Sequence, residues 1–75
     1  MENDRQKFVR LATARVNKAI RAIRIIGNLS NRSNYSYTDD DVERIMKVLN
    51  QELKACRQRF SAEKSGSEGD FKLEE

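Results

Sequence analysis

Apolar residues recur at helical spacing in two stretches of the chain, and a polar stretch separates them. The first set, here the α1 stripe, alternates spacings of three and four residues. It comprises Val9, Ala12, Val16, Ala19, Ile23 and Ile26. Phe8 and Ile20 widen this stripe, as is typical of a helix that faces a protein core. The pattern predicts helix 1 over residues 3–27, and Gly27 is expected to end it in the left-handed conformation of a C-cap.

The second apolar set, here the α2 stripe, keeps an unbroken heptad register. It comprises Val42, Met46, Leu49, Leu53, Cys56 and Phe60. Thr38 is an N-cap type, and Asp41 three residues later completes a variant of the capping box. Tyr37 and Val42 occupy the two positions of a hydrophobic staple. The pattern predicts helix 2 over residues 38–60.

Three consecutive aspartates, residues 39–41, allow two interpretations. Carboxylates in the first turn are stabilised by the positive end of the helix dipole. A group of carboxylates also resembles a site for a hard cation such as Ca²⁺. The helix start is favoured, because consecutive helical residues point in different directions and no second carboxylate group could complete the shell. We therefore expect no metal site.

The polar junction, residues 28–37, is longer than the usual connection between antiparallel helices. Asn28, Asn31 and Asn34 are each followed two residues later by serine, which formally makes three glycosylation sequons. Turn chemistry is the favoured interpretation, because these side chains hydrogen-bond to nearby backbone. The two tyrosines either fold over the open end of a helical hairpin or belong to a recognition loop. That candidate loop comprises Asn31, Arg32, Asn34, Tyr35 and Tyr37.

After Phe60 the apolar pattern stops. Residues 61–75 carry five acidic and two basic side chains together with two of the three glycines. This composition predicts a disordered acidic tail. The expected organisation is therefore one helical hairpin over residues 1–60, followed by this tail.

Length and composition exclude several classes of protein. A chain of 75 residues buries little core, and one cysteine with no histidine offers neither an internal disulfide nor a common zinc site. Without histidine or a predicted cleft, we expect no enzyme, no catalytic residue and no cofactor, and Cys56 is expected to pack as a small apolar residue. The N-terminal stretch has no apolar segment, so we expect no signal peptide, no membrane span and a cytoplasmic location. Since one hairpin seam is too small to stabilise the chain, we expect an all-α homodimer, two antiparallel hairpins forming a four-helix bundle, with a higher oligomer or a different protein partner as the alternatives.

Charge is strongly segregated along the chain. No acidic residue occurs between Arg5 and Thr38, whereas this segment carries eight lysines and arginines. Five of them lie on the arc of helix 1 opposite the α1 stripe and are called the basic face. The basic face comprises Lys7, Arg10, Lys18, Arg21 and Arg24. Like charges repel, so we expect a partner, either the acidic residues 39–75, which sum to −3, or nucleic acid phosphate.

Two short matches, KFVR at residues 7–10 and CRQRF at 56–60, resemble the Rop-type plasmid copy-number regulators. Those proteins are homodimeric helical hairpins that bind paired RNA loops, and the resemblance implies the same fold and RNA in preference to DNA. It places Phe8 at an RNA-contacting position. The other contacting positions of helix 1 fall on Asp4, Ala12 and Ala19, which lack the amide or basic side chains of the family.

Two functions follow as expectations. In the first, a small regulatory protein of bacterial or phage type binds nucleic acid through helix 1. Its candidate contacts are Lys7, Phe8, Arg10, Lys18, Arg21 and Arg24. In the second, the protein is an adaptor or inhibitor that docks on an acidic protein surface through helix 1 and the Asn31–Tyr37 loop.

Overall fold

The computed structural model describes the backbone of residues 1–73 and the side chains of residues 1–63. The described chain is all-α, with α1 at Asp4–Gly27, a short 3-10 helix at Asn28–Ser30 and α2 at Asp39–Leu73. No strand occurs in residues 1–73. The predicted class, an all-α protein with two long helices, is confirmed. Two compact units divide at residues 36 and 37, so that each unit holds one long helix.

Helix α1 begins with a reciprocal cap. The backbone N–H of Gln6 donates to Asn3 Oδ1 at 2.7 Å, and the backbone N–H of Asn3 donates to Gln6 Oε1 at 3.0 Å. The two bonds satisfy donors that a helix start otherwise leaves unpaired. Asp4 adds a carboxylate in the first turn. The predicted start of helix 1 at residue 3 is thus confirmed to within one residue.

The other end of α1 differs from the expectation. Gly27 has φ −60° and ψ −27°, which is right-handed, so the predicted left-handed C-cap is wrong. The chain continues from α1 into the 3-10 helix, and the N–H of Asn28 points at the carbonyls of Arg24, Ile25 and Ile26. Because right-handed backbone continues through Ser30, no left-handed residue is needed at this position.

This geometry makes Gly27→Ala a stabilising substitution. A Cβ built at residue 27 meets nothing within 4 Å, and the right-handed φ suits alanine. Alanine lowers the conformational entropy of the unfolded chain and has a higher helix propensity than glycine. We therefore expect the free energy of unfolding to rise by about 0.5–1 kcal/mol. Urea unfolding, followed by circular dichroism, measures this change in the free energy of unfolding. Loss of stability would contradict the right-handed conformation.

Helix α2 begins as predicted from its capping box. The backbone N–H of Asp41 donates to Thr38 Oγ1 at 3.0 Å, and the backbone N–H of Thr38 donates to Asp41 Oδ2 at 2.9 Å. Asp40 pairs with Arg44 one turn later at 2.9 Å. The aspartates therefore serve the helix start, while the staple between Tyr37 and Val42 stays a prediction. Tyr37 itself is half-buried.

The predicted end of helix 2 at residue 60 is not observed. Helix α2 runs to Leu73, through most of the segment expected as the disordered acidic tail 61–75. No proline interrupts this segment, and each glycine in a helix costs only about 1 kcal/mol relative to alanine. Glutamate, lysine and alanine, which are good helix formers, offset part of that cost. The two final glutamates lie outside the described residues.

The apolar stripe of each long helix is largely exposed. No residue of the described side chains 1–63 is buried. On α1, Val16 and Ile23 are 56% and 55% exposed, and on α2, Leu53 and Phe60 are 69% and 63% exposed. Exposed apolar faces of this extent are typical of surfaces that bind another chain. None of the described helices is long and apolar enough to cross a membrane.

Candidate nucleic-acid interface

Helix α1 positions the basic face on one rigid element. With about 100° of rotation per residue, its five members lie within a single arc on the side opposite the α1 stripe. All five residues are exposed. Within residues 1–63, no ion pair or hydrogen bond of the side chain is found for Lys7, Lys18, Arg21 or Arg24. These four cations are therefore available to an external anion.

Arg10 differs from the other members of the basic face. Its guanidinium donates two hydrogen bonds to the Glu2 carboxylate, from Nε at 2.7 Å and from Nη2 at 3.0 Å. This fork is the geometry with which arginine also binds phosphate. The hydrogen bond that Arg10 donates to the Glu2 carboxylate raises the pKa of Arg10 above its usual value. Arg10 is thus neutralised by an acid that lies just upstream of the segment without acidic residues.

If helix α1 binds nucleic acid as the sequence predicts, Glu2 competes with a phosphate for Arg10. Replacing Glu2 by glutamine leaves the guanidinium free, and we expect tighter RNA binding because Arg10 of each copy can then bind one more phosphate. The salt slope of the logarithm of the affinity should steepen by about 0.7–0.9 for each additional phosphate that is neutralised. Fluorescence anisotropy at several salt concentrations measures both quantities.

Asp4→Asn is the matched control, since it removes one negative charge from the same end of α1. Asp4 has no ion pair among the described residues. An equal steepening of the salt slope in both variants would show that Glu2 acts through net charge alone.

Phe8 does not lie among the cations. It follows Lys7 directly and so lies about 100° further round the helix, at the edge of the α1 stripe. Its ring is 50% exposed, and the guanidinium carbon of Arg5 lies 5.9 Å from its centroid. This cation–π distance joins Phe8 to Arg5 rather than to the basic face. Arg5 was not among the predicted contacts, although its spacing of three residues from Phe8 could have indicated the pair.

The Asn31–Tyr37 loop begins with a turn built by Asn31. The Asn31 side-chain oxygen accepts the N–H of Ser33 at 3.0 Å. Its carbonyl accepts the N–H groups of Asn34 at 3.1 Å and Tyr35 at 3.0 Å. The predicted turn chemistry is confirmed for Asn31. Tyr35 is 48% exposed and Arg32 is exposed, so both are accessible in this loop.

Acidic and cysteine side chains are the groups that could bind a metal or provide a reactive thiol in the described part of the chain. No group of three or more acidic, cysteine or histidine residues there could hold a metal ion. Cys56 is exposed as a member of the uncovered α2 stripe. Its exposure follows from that of the whole stripe, so it gives no separate indication of a reactive thiol.

No family model matches the chain, and comparison with curated proteins and with solved structures finds no match either.

Proposed function

We propose that this chain is a non-enzymatic regulatory protein that self-associates as a helical hairpin and binds nucleic acid through helix α1. The observation that carries the proposal is the set of four exposed cations on α1 without an ion pair among residues 1–63. They are Lys7, Lys18, Arg21 and Arg24. Grouped cations that lack acidic neighbours attract the phosphate backbone and release its counterions.

Geometry supports phosphate contacts more than base contacts. The cations repeat along one face of α1, and helix rise spreads residues 7–24 over about 25 Å. Adjacent phosphates of one strand lie several ångströms apart, so such a line can contact more than one phosphate. Phe8 lies off this line and belongs to the proposal only as an accessory contact. A preference for RNA over DNA rests on the resemblance to the Rop-type regulators alone.

Self-association is supported by the exposed stripes of both helices. A chain of 75 residues that leaves Val16, Ile23, Leu53 and Phe60 more than half exposed gains stability from covering them. A second copy supplies matching stripes, and two antiparallel hairpins would form a four-helix bundle. A cytoplasmic location accords with the single, unpaired cysteine.

The direct test is a titration of one labelled RNA stem-loop and a DNA stem-loop of the same sequence. We expect binding at low salt that weakens linearly on a double-logarithmic plot as salt rises. Tighter binding of the RNA would support the resemblance, and equal binding would leave phosphate contact as the shared mechanism. If neither probe binds at low salt, the proposed function is wrong.

A second candidate function is favoured by the ordered loop. The three hydrogen bonds of Asn31 fix the turn that precedes the exposed Tyr35. An adaptor or inhibitor could dock on an acidic protein surface through helix α1 and this loop. It would bind polyglutamate, used as an acidic polypeptide probe, and Tyr35→Ala would weaken that binding without lowering helical content. Tight RNA binding that Tyr35→Ala leaves unchanged would exclude this candidate.

A further inference from the structure

The α2 stripe combines large and small side chains in an order that fits a reversed copy of itself. We propose that it docks on the α2 stripe of a second copy in antiparallel orientation. In this register Val42 faces Phe60 of the second copy, Met46 faces Cys56, and Leu49 faces Leu53 at the centre. The inference rests on the self-association proposed above, but it does not depend on nucleic-acid binding.

Packing favours this register over a parallel one. The largest stripe residue, Phe60, then opposes the smaller Val42, and Met46 opposes the small Cys56. Facing layers of nearly constant volume fill the space between helices without voids or overlap. A parallel pair would instead place Phe60 against Phe60 and Cys56 against Cys56, which gives one crowded layer next to one underfilled layer.

The charge distribution of α2 also favours the antiparallel orientation. Its start carries Asp39, Asp40, Asp41 and Glu43, whereas residues 53–62 carry three cations and no acid. In the antiparallel register Glu43 lies level with Arg59 of the other helix and so comes beside its basic stretch, whereas Asp39 lies level with Glu63. A parallel pair would place all these carboxylates beside their own copies, where like charges repel.

One specific ion pair sets the register. Glu43 follows Val42 and Arg57 follows Cys56, so both flank the α2 stripe on the same side. In the antiparallel register Glu43 of each copy meets Arg57 of the other, twice per dimer, with Asn50 beside its own copy between them. Neither Glu43 nor Arg57 has an ion pair among residues 1–63, so both are available.

The opposite flank opposes this orientation weakly. Glu52 would lie beside its own copy there, whereas a parallel pair would let Glu52 meet Arg57. Asp39 and Glu63 of the second copy also repel each other in this register. A parallel pair would instead place the aspartate runs of both copies side by side and would leave Glu43 without Arg57. Two copies of α1 offer no comparable pairing, because residues 5–38 contain no acid.

Cysteine cross-linking of the full chain separates the two orientations. In the antiparallel register Cys56 lies ten residues from its own copy along the helix axis, about 15 Å, which is too far for a disulfide. Oxidation of the wild type with copper–phenanthroline at low protein concentration should therefore give no covalent dimer. Met46→Cys should give one readily, because residue 46 then faces Cys56 of the second copy.

Two controls make the pattern specific. Met46→Cys combined with Cys56→Ser should not cross-link, since residue 46 is also about 15 Å from its own copy. Lys47→Cys with native Cys56 should not cross-link either, because residue 47 lies outside the stripe.

Exchanging the charges of Glu43 and Arg57 tests the register without cysteine. Glu43→Arg and Arg57→Glu should each weaken the dimer about tenfold, and the double variant should restore it.

Each outcome has a definite meaning. Cross-linking only when residues 46 and 56 are both cysteine, with rescue by the double charge exchange, supports the register. A covalent dimer of the wild type through Cys56 overturns it in favour of parallel helices. A dimer by sedimentation velocity without cross-links in the Met46→Cys variant also overturns it, while leaving self-association intact. A monomer by sedimentation would refute the proposed self-association itself.

Discussion

Reversing the charge of Lys18 and Arg21 together is expected to lower the affinity for a structured RNA by at least about a hundredfold at low salt. Both residues are exposed on the basic face, and neither has an ion pair among residues 1–63. In a dimer, the double substitution converts four attractions to phosphate into four repulsions. The salt slope of the logarithm of the affinity should also fall by about three, since each phosphate that is no longer neutralised removes about 0.7–0.9.

Lys47→Glu with Lys54→Glu provides the matched control. This pair changes the net charge by the same amount and lies on α2, away from the α2 stripe. We expect it to weaken RNA binding only slightly, through the long-range field. Fluorescence anisotropy over a salt series measures both variants. An equal loss of RNA affinity in the two double variants would mean that net charge, rather than the basic face, governs binding.

Leu53→Asp is expected to convert the proposed dimer to a largely unfolded monomer. Leu53 lies in the middle of the α2 stripe and is 69% exposed in the single chain. Covering one leucine contributes about 1.5–3 kcal/mol, and a dimer loses that contribution twice while acquiring two unpaired carboxylates. The dissociation constant should therefore rise by at least about a thousandfold, since each 1.4 kcal/mol is a factor of ten.

Sedimentation velocity and circular dichroism test this prediction together. Gln51→Asp is the control, because it introduces the same side chain on the side of α2 opposite the stripe. It should leave both the dimer and the helical content nearly unchanged. If Leu53→Asp remained a folded dimer, the α2 stripe could not be the surface that self-association covers.

The long helices and their starts were predictable from the sequence, because the signals for them are local. Apolar spacing of three and four residues locates both stripes, and the Thr38–Asp41 box needs only residues three apart. The equivalent Asn3–Gln6 box was equally local and could have been found from the same pattern. Such bonds do not depend on how the rest of the chain folds.

The ends of the helices were less predictable, because helix stop signals are weaker than start signals. Gly27 favours a left-handed C-cap only when the chain turns sharply there, and here it continues into a 3-10 helix. Beyond Phe60 the apolar pattern stops, but good helix formers without proline let the backbone stay helical to Leu73. Loss of an apolar pattern marks the end of a packing surface and not necessarily the end of a helix.

The residues of the candidate site were predictable from the sequence, but their side-chain contacts were not. The absence of acid between Arg5 and Thr38 identifies the basic face from the sequence. The contact of Glu2 with Arg10 spans eight residues and depends on how the N-terminal residues fold against α1. The same holds for Arg5 over Phe8, which depends on the rotamers of two exposed side chains. Local spacing alone does not determine contacts of this kind.

Size-exclusion chromatography coupled to light scattering, with and without a short structured RNA, tests the central claim most directly. We predict the mass of a dimer for the protein alone at low and high salt. With RNA at low salt the mass should rise to that of a complex, and at high salt the dimer and the RNA should elute separately. A protein whose mass and elution are unchanged by RNA at low salt would contradict the assignment of α1 as a nucleic-acid-binding surface.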